Sequence, residues 1–363
     1  MSNDPRDLNG EKLRNAMSIL GKDLLARQAM ISFLKKLESE FDYAGSIRDD
    51  VVGPILDAIH DDNVVYHKEL QDGTCYDFYY RTKIARDFLL SEKEKPSHVW
   101  EPQTTKLLKH LASISSHDIL IGGAYFGDHA ILIAKLVASD NRFVHCFEPN
   151  ADQHKMLVRN IELNRLSNVK TSSLGLWHQS SASLKLTGFD SFANAVSAND
   201  DDDDSFKTIT IDEYLSGECR DVSVIMLDIE GAELNALKGA ELTLKKDRPF
   251  IVFEVHRDYV NWDNGLENAE LCIYLAQLGY KLFAIRDYNT NVEIESYPIE
   301  LIDVDKVYLQ GPPHGFNMLA FPIERVDDLK NPIFRFVENV SPKLLKHKDP
   351  LLFHPIYRDD SNV

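Results

Sequence analysis

After about residue 100, hydrophobic positions follow two alternating patterns. Short apolar runs are typical of strands buried on both faces, and between them apolar residues recur at helical spacing. Strands alternating with helices predict an α/β fold with a mostly parallel, twisted sheet and right-handed crossovers. A last apolar run returns like a hairpin and predicts an antiparallel strand at one sheet edge. The principal predicted strands are Ile119–Ile121, Phe143–Phe147, Val169–Leu174, Val222–Leu227, Phe250–Val255, Lys281–Ile285 and Met318–Phe321.

Residues 1–95 have a different pattern, which predicts a small helical and hairpin extension. A charged segment closed by proline, Ser91–Pro96, is the candidate linker. We therefore expect an extension over 1–95, a main domain over 96–325 and a peripheral tail over 326–363. Within the extension, helices are predicted over Glu11–Phe41 (divided near Gly21), Asp50–His60 and Ile84–Leu90, and strands over Val64–Leu70 and Cys75–Tyr80.

Composition narrows the class of protein. The 363 residues are 44% hydrophobic and 27% charged, as in globular proteins. A net charge of −18 argues against nucleic acid or an anionic membrane as the main partner. Four widely spaced cysteines favour reduced thiols over disulfides or a zinc site. The polar N-terminus and the lack of an apolar run of about 20 residues predict a cytoplasmic protein without a membrane span.

A glycine turn and an acid mark a candidate cofactor site. Gly122–Gly127 follows the first predicted main-domain strand, and Glu148 ends the next one. In nucleotide-binding folds, a glycine turn approaches the nucleotide and an acid roughly 20 residues later binds its ribose. The spacing between Gly127 and Glu148 in the sequence is close to that value. The alternative is an ordinary strand–helix–strand unit with glycines at a tight turn.

Acids and a histidine lie at the ends of two further predicted strands. Asp228 and Glu230 follow one strand, and Glu254 and His256 end the next. Residues two apart point to the same side of an extended chain, and neighbouring parallel strands end at the same sheet edge. Such a cluster suits proton abstraction from a hydroxyl, or its metal-assisted activation. The alternative is that Asp228 or Glu230 caps the following helix.

The segment 225–240, with its Asp-x-Glu-Gly-x-Glu core, resembles the signature of the FkbM-type methyltransferases. Phe147–Asn150 resembles their ribose-binding strand end, and Thr208–Asp212 and Phe253–His256 resemble the strands that flank the signature. The resemblance covers about 100–321. It implies a Rossmann-like class I methyltransferase that uses S-adenosylmethionine. It also implies cofactor contacts by Gly122, Gly123, Ala124, Tyr125, Gly127, Asp128, Glu148, Pro149 and Asp228.

One departure concerns the cofactor's amino group. The family usually has an acid at the end of the first strand and an asparagine inside the loop, where this chain has Ile121 and Tyr125. Asp128 or Glu101 is the candidate substitute for the missing partner. Trp177, after the third strand, is a candidate to flank the adenine, with a place in the core as the alternative.

By resemblance, the expected reaction is O-methylation of a small molecule or glycan. Our first choice of general base is His256, with Asp228 second, while Glu230 and Glu254 orient the substrate or hold a divalent ion. Asp228, Glu254 and His256 offer oxygen and nitrogen ligands for such an ion. His129 is expected to be structural.

Two other functions stay open at this point. One is a dinucleotide-dependent oxidoreductase, although the loop reads Gly-Gly-x-x-x-Gly rather than Gly-x-Gly-x-x-Gly. The other is a non-catalytic protein that keeps the fold, suggested by Ile121 and Tyr125.

Two further segments, the N-terminal extension and an acidic run, have roles that the sequence leaves open. The extension is the candidate substrate determinant or homodimer interface, and its aromatic and basic residues either bind substrate or pack the hairpin. Asp200–Asp204 is expected to be a solvated loop, with calcium binding as the alternative. The aromatic and basic residues of the extension that either bind substrate or pack the hairpin are Tyr76, Tyr79, Tyr80, Arg81 and Arg86.

Overall fold

The computed structural model describes residues 5–41, 47–61, 63–187, 194–197, 205–294, 296–310 and 315–344. The acidic run at 200–204 and the end of the tail lie outside these residues. The described strands are β1 Val65–Glu69, β2 Cys75–Tyr79, β3 Asp118–Gly122, β4 Val144–Phe147, β5 Val169–Ser172, β6 Gly175–Leu176, β7 Ser183–Thr187, β8 Asn194–Ser197, β9 Ser205–Ile209, β10 Val222–Leu227, β11 Phe250–Val255, β12 Tyr280–Ile285, β13 Ile299–Asp303, β14 Phe316–Pro322 and β15 Phe334–Val337.

The α-helices follow the predicted pattern closely. The long N-terminal pattern is two helices, which meet at Asp23, the N-cap of the second. The segment 233–246 also forms two helices, separated near Gly239, which packs against the backbone of Trp177. The described helices are α1 Pro5–Lys22, α2 Leu24–Glu40, α3 Gly53–Ile59, α4 Lys83–Leu89, α5 Pro102–Ser113, α6 Ala130–Val137, α7 Ala151–Leu163, α8 Ile211–Glu218, α9 Glu233–Lys238, α10 Glu241–Lys246 and α11 Glu270–Gln277.

A nine-stranded mixed sheet organises the main domain, in the order β15-β13-β12-β14-β11-β10-β3-β4-β5. The run from β5 to β11 is parallel throughout. Apolar side chains cover both faces, in two separate core clusters. The strand order reverses beside β3, because β4 and β10 lie on either side of it. The predicted Rossmann-like α/β fold is therefore confirmed.

The antiparallel strand β14 requires a correction. We expected it at one edge of the sheet, but it pairs with β11 on one side and β12 on the other. Two strands that the sequence analysis did not predict, β13 and β15, extend the sheet beyond β12. All residues of β14 are buried, so this strand is part of the core.

The N-terminal extension packs directly against the glycine turn. Tyr76 and Phe78 of β2 and Phe88 of α4 share a hydrophobic cluster with Phe126. Asn160 of α7 joins the two parts, because its side chain accepts from the Asp77 backbone N–H at 2.7 Å and donates to the Phe126 carbonyl at 2.8 Å. The extension therefore packs against and supports the glycine turn, while the boundary at residue 95 and a homodimer stay predictions.

Among the helices of the described ranges, we find none with the length and apolar character needed to cross a membrane.

Candidate active site

The glycine turn after β3 approaches the neighbouring strands so closely that position 123 requires glycine. Gly123 has φ +74°, and a Cβ there would lie 1.7 Å from the Asp228 carbonyl oxygen. The Gly123 and Ala124 N–H groups both donate to the Phe147 carbonyl, at 2.9 and 3.0 Å. The turn is thus held across the ends of β4 and β10, at the carboxyl edge of the sheet.

The Glu148 carboxylate is fixed at the tip of β4. It accepts from the Tyr125 N–H through Oε2 and from the Asn150 N–H through Oε1, both at 2.8 Å. These two backbone donors fix the orientation of the carboxylate. Because Glu148 also lines the neighbouring cleft, it is well placed to bind a diol.

The cleft beside the turn has a volume of about 1030 Å³, part of it open to solvent. Its walls include an apolar set and an acidic set of side chains. The apolar set includes Ile121, Leu174, Leu176, Leu184, Phe206 and Met226, and the acidic set comprises Asp128, Glu148, Asp228 and Glu230.

Three carboxylates converge at the acidic side of the cleft. Asp228, Glu230 and Glu254, here called the carboxylate group, each offer an oxygen within 4.8 Å of the others. Burial and then the charge of Glu254 raise the pKa of Asp228 well above its usual range. Burial and then the charge of Glu230 do the same to the pKa of Glu254. The Tyr259 hydroxyl donates to Glu230 at 3.0 Å.

Strand alternation explains why these side chains meet. Met226 of β10 and Val252 of β11 belong to the same core face. Asp228 and Glu254 lie two positions further along, so they leave the sheet on that face too. The Asp228 N–H donates to the Gly122 carbonyl at 3.1 Å, which continues the strand pairing past the end of β10.

A buried polar network lies behind the carboxylate group. Glu101, with φ +43°, precedes α5 in a left-handed conformation that is costly for a residue with a side chain. Its carboxylate accepts from Asn317 Nδ2 at 2.5 Å and lies 3.7 Å from Lys343 Nζ. Asp287 accepts from the backbone N–H groups of Gln103 and Thr104, at 3.0 and 2.7 Å, and so caps α5.

Asp287 gives a stability prediction with a defined sign. Burial, and then the charge of Glu101, raise the pKa of Asp287 to about 7. The folded chain therefore binds this proton more tightly than the unfolded chain. The resulting stabilisation is lost as the pH rises through about 7. Asp287→Asn removes this titration. As the pH is raised from 5.5 to 8, thermal melting should therefore show the variant gaining stability relative to wild type. If the difference in melting temperature between Asp287→Asn and wild type stays constant over this pH range, the prediction is contradicted.

The structure brings most of the predicted cofactor residues to the cleft. Ala124 and Gly127 shape the turn but are not in its wall, and Glu101 and Glu254 lie behind it. Trp177 is not in the wall either; its carbonyl packs against Gly239 and its ring lies 5.4 Å from the His178 ring. The predicted residues in the wall are Gly122, Gly123, Tyr125, Asp128, Glu148, Pro149, Asp228 and Glu230.

His256 follows the last residue of β11 and lies outside the cleft wall. Its Nδ1 accepts from the Asp258 N–H at 3.1 Å, and its ring packs against Tyr259 at 5.3 Å. It is not part of the carboxylate group. The sequence predicted Asp228, Glu254 and His256 as the candidate ion ligands. In the structure the side chains that lie together are instead those of Asp228, Glu230 and Glu254.

Two other sequence interpretations can be compared with contacts. His129 Nδ1 lies 3.1 Å from the Thr105 hydroxyl, and the residue also lines the cleft, so its structural role stays a prediction. The aromatic and basic residues of the extension largely contact protein groups. Tyr76 donates to the Asp128 carbonyl, Tyr80 to Asp57, and Arg81 pairs with Asp152 and covers the Tyr79 ring. These contacts favour a packing role for those side chains.

Several wall residues were not identified from the sequence. The most informative is Phe206, whose ring lies so close to Gly175 that a Cβ there would be 2.4 Å from it. Phe206 and Leu184 come from the small sheet of β6 to β9, whose irregular sequence gave no functional signal. Ile84 and Trp100, from the extension and the segment before α5, were also missed.

Comparisons with known proteins give one family match and several distant structural matches. Residues 122–282 match the family model of the methyltransferase FkbM domain. The methyltransferase FkbM from Methylobacillus flagellatus KT is 15% identical over 57% of this chain and 44% of that chain, with a TM-score of 0.34. The precorrin-6y C5,15-methyltransferase from Geobacter metallireducens GS-15 is 12% identical over 61% of this chain and 88% of that chain, with a TM-score of 0.35. No curated protein matches the chain.

Proposed function

We propose, from the match of residues 122–282 to the family model of the methyltransferase FkbM domain, that this chain transfers a methyl group from S-adenosylmethionine to a hydroxyl oxygen of a small molecule or glycan. The observation that carries the proposal is the cleft, whose wall includes the glycine turn, Glu148 and two members of the carboxylate group. A cofactor surface and a hydroxyl-activating surface therefore share one cavity.

The residues present fit the cofactor. Glu148 would accept from the ribose hydroxyls, since backbone donors orient its carboxylate and the residue lines the cleft. Leu184 and Phe206 would contact the adenine. Asp128 would bind the amino group in preference to Glu101, because Asp128 lines the cleft and Glu101 does not. When bound, S-adenosylmethionine supplies a methyl group on a positively charged sulfur.

The carboxylate group would activate the acceptor. A hydroxyl is a weak nucleophile until its proton is accepted or its pKa is lowered. Asp228 and Glu230 face the cleft, so they can hold the acceptor oxygen near the methyl group, and alignment supplies much of the acceleration. His256 stays a candidate base at the margin of the site. The net charge of −18 disfavours a nucleic-acid acceptor.

Thermal melting with two ligands tests the cofactor class. S-adenosylhomocysteine at 100 times its Kd should stabilise the chain by about 2.7 kcal/mol, because it binds only the folded state. NAD should leave the melting temperature unchanged. Phe206→Ala should reduce the shift with S-adenosylhomocysteine, whereas Phe33→Ala, at a 56% exposed site, should not. Stabilisation by NAD alone would support the oxidoreductase alternative and overturn the proposal.

A further inference from the structure

The three side chains of the carboxylate group lie close together, and no ion pair with a cationic side chain of the described residues accompanies them. Asp228, Glu230 and Glu254 place oxygens within 4.8 Å of one another. Among the residues that the structure describes, none of these carboxylates forms an ion pair with a lysine, arginine or histidine. The nearby buried cation, Lys343, pairs instead with Glu101 at 3.7 Å. The three carboxyl groups therefore lie together without a cationic side chain of the described residues in contact.

Asn317 provides a second observation that is independent of the carboxylates. This residue is only 2% exposed, and its Oδ1 accepts no hydrogen bond from any described residue. Its Nδ2 donates to Glu101 and to the Thr104 hydroxyl. A carboxylate accepts but does not donate, so the amide nitrogen must face Glu101. The oxygen is thus left buried and unsatisfied, which is costly unless a donor or a cation completes it.

Strand pairing places the Asn317 side chain beside that of Glu254, a member of the carboxylate group. Asn317 of β14 lies directly opposite Glu254 of β11 in the antiparallel ladder. Side chains at paired positions leave the sheet on the same face, about 4.5–5.5 Å apart at Cβ. Gly315, two residues earlier, makes room for Glu254, because a Cβ there would lie 2.0 Å from Glu254 Oε1. Glu254 therefore lies opposite Asn317 in the ladder and within 4.8 Å of the other two carboxylates.

We propose that Asp228, Glu230 and Glu254, with the Asn317 amide oxygen beside them, form a binding site for one divalent cation of the oxygen-preferring class, such as Mg²⁺, Mn²⁺ or Ca²⁺. Two ligand oxygens on one such ion are separated by up to about 4–5 Å, since each bond is about 2.0–2.6 Å. The observed spacing satisfies that limit. A set of oxygens alone favours these ions over zinc or copper.

The site is reachable from the cleft and suits a role in the reaction. Asp228 and Glu230 line the cleft, so an ion can enter from solvent and face the acceptor. This role rests on the proposed function: the ion would bind the acceptor oxygen and lower the pKa of its hydroxyl. The carboxylate group would then activate the hydroxyl through the ion.

Manganese binding to the full chain tests the site without any enzymatic assay. Protein freed of metal with EDTA and desalted is titrated with MnCl₂, and free Mn²⁺ is followed by electron paramagnetic resonance. We expect one saturable site per chain. Glu254→Gln and Asn317→Leu should each weaken it by about tenfold or more. Replacing Asp200–Asp204 by asparagines should leave it unchanged, since that run is a separate acidic segment.

Melting temperatures separate loss of the site from loss of the fold. In EDTA, Glu254→Gln should melt at or above the wild-type temperature, because it removes one of several buried like charges. With MnCl₂, the wild type should gain stability and the variant should not. No saturable binding by wild type, or equal binding by Glu254→Gln, would overturn the site. Binding of S-adenosylhomocysteine in EDTA would show that the proposed function survives that failure.

Discussion

Gly123→Ala is expected to abolish binding of S-adenosylhomocysteine and to destabilise the chain severely. Two costs combine at this position. The φ of +74° disfavours any residue with a Cβ, at about 1–2 kcal/mol. The added Cβ would also lie 1.7 Å from the Asp228 carbonyl oxygen and 2.8 Å from its carbon. Both contacts are with backbone, so the turn must move away from β10.

The expected size is more than about 3 kcal/mol of unfolding free energy, in the range of overpacked and strained sites. Cofactor affinity should fall at least about 100-fold, because the turn is part of the cleft wall. Denaturant melts and calorimetric titration measure the two effects. Gly73→Ala is the matched control: its φ is +78°, but a Cβ there meets nothing within 4 Å. It should cost about 1 kcal/mol and leave cofactor binding intact.

A Gly123→Ala chain that keeps wild-type affinity would show that the turn does not contact the cofactor. If that variant fails to fold, the turn's structural role is supported and cofactor binding is tested by Glu148→Ala. That substitution leaves the turn's glycines in place and removes the carboxylate assigned to the ribose.

Asp228→Asn is expected to reduce methyl transfer by about 10²–10⁴-fold, the range for losing a group that activates the nucleophile. Asparagine has nearly the same size and no charge. Binding of S-adenosylhomocysteine should therefore change only a few-fold, and removal of one buried like charge should not lower stability. The rate is measured as S-adenosylhomocysteine formed with an acceptor that the wild-type chain methylates.

Two comparisons sharpen this result. Asp327→Asn makes the same chemical change at an exposed site with a salt bridge to Lys330, and should keep full activity. His256→Asn distinguishes the two base candidates of the sequence analysis. A larger loss in His256→Asn than in Asp228→Asn would favour His256, and more than a tenth of the wild-type rate in Asp228→Asn would contradict the role given to the carboxylate group.

The sequence predicted the residues whose positions depend on local pattern. Glu148 and Asp228 follow apolar runs that are unmistakably buried strands, so their place at the carboxyl edge followed from the parallel sheet. Gly123 was identified for the same reason. Residues two apart were expected to share a side, but β11 ends at Val255. His256 therefore turns toward Asp258 and Tyr259 instead of the carboxylate group.

Residues whose role depends on distant pairing could not be predicted. Phe206 enters the wall because β9 places it against Gly175, a contact between segments with no regular pattern. Asn317 matters because β14 pairs with β11, and we had expected β14 at an edge. Lys343, buried against Glu101, lies in a segment whose composition indicated only a peripheral tail. Each of these contacts is long-range, and none leaves a periodic signal in the sequence.

A crystal structure of the chain with S-adenosylhomocysteine bound tests the central claim most directly. We expect the ribose hydroxyls within hydrogen-bonding distance of the Glu148 carboxylate, the adenine against Phe206, and the sulfur on the side of the cleft lined by Asp228. A structure in which the ligand lies elsewhere, with Glu148 bonded only to the Tyr125 and Asn150 backbone, would contradict the account.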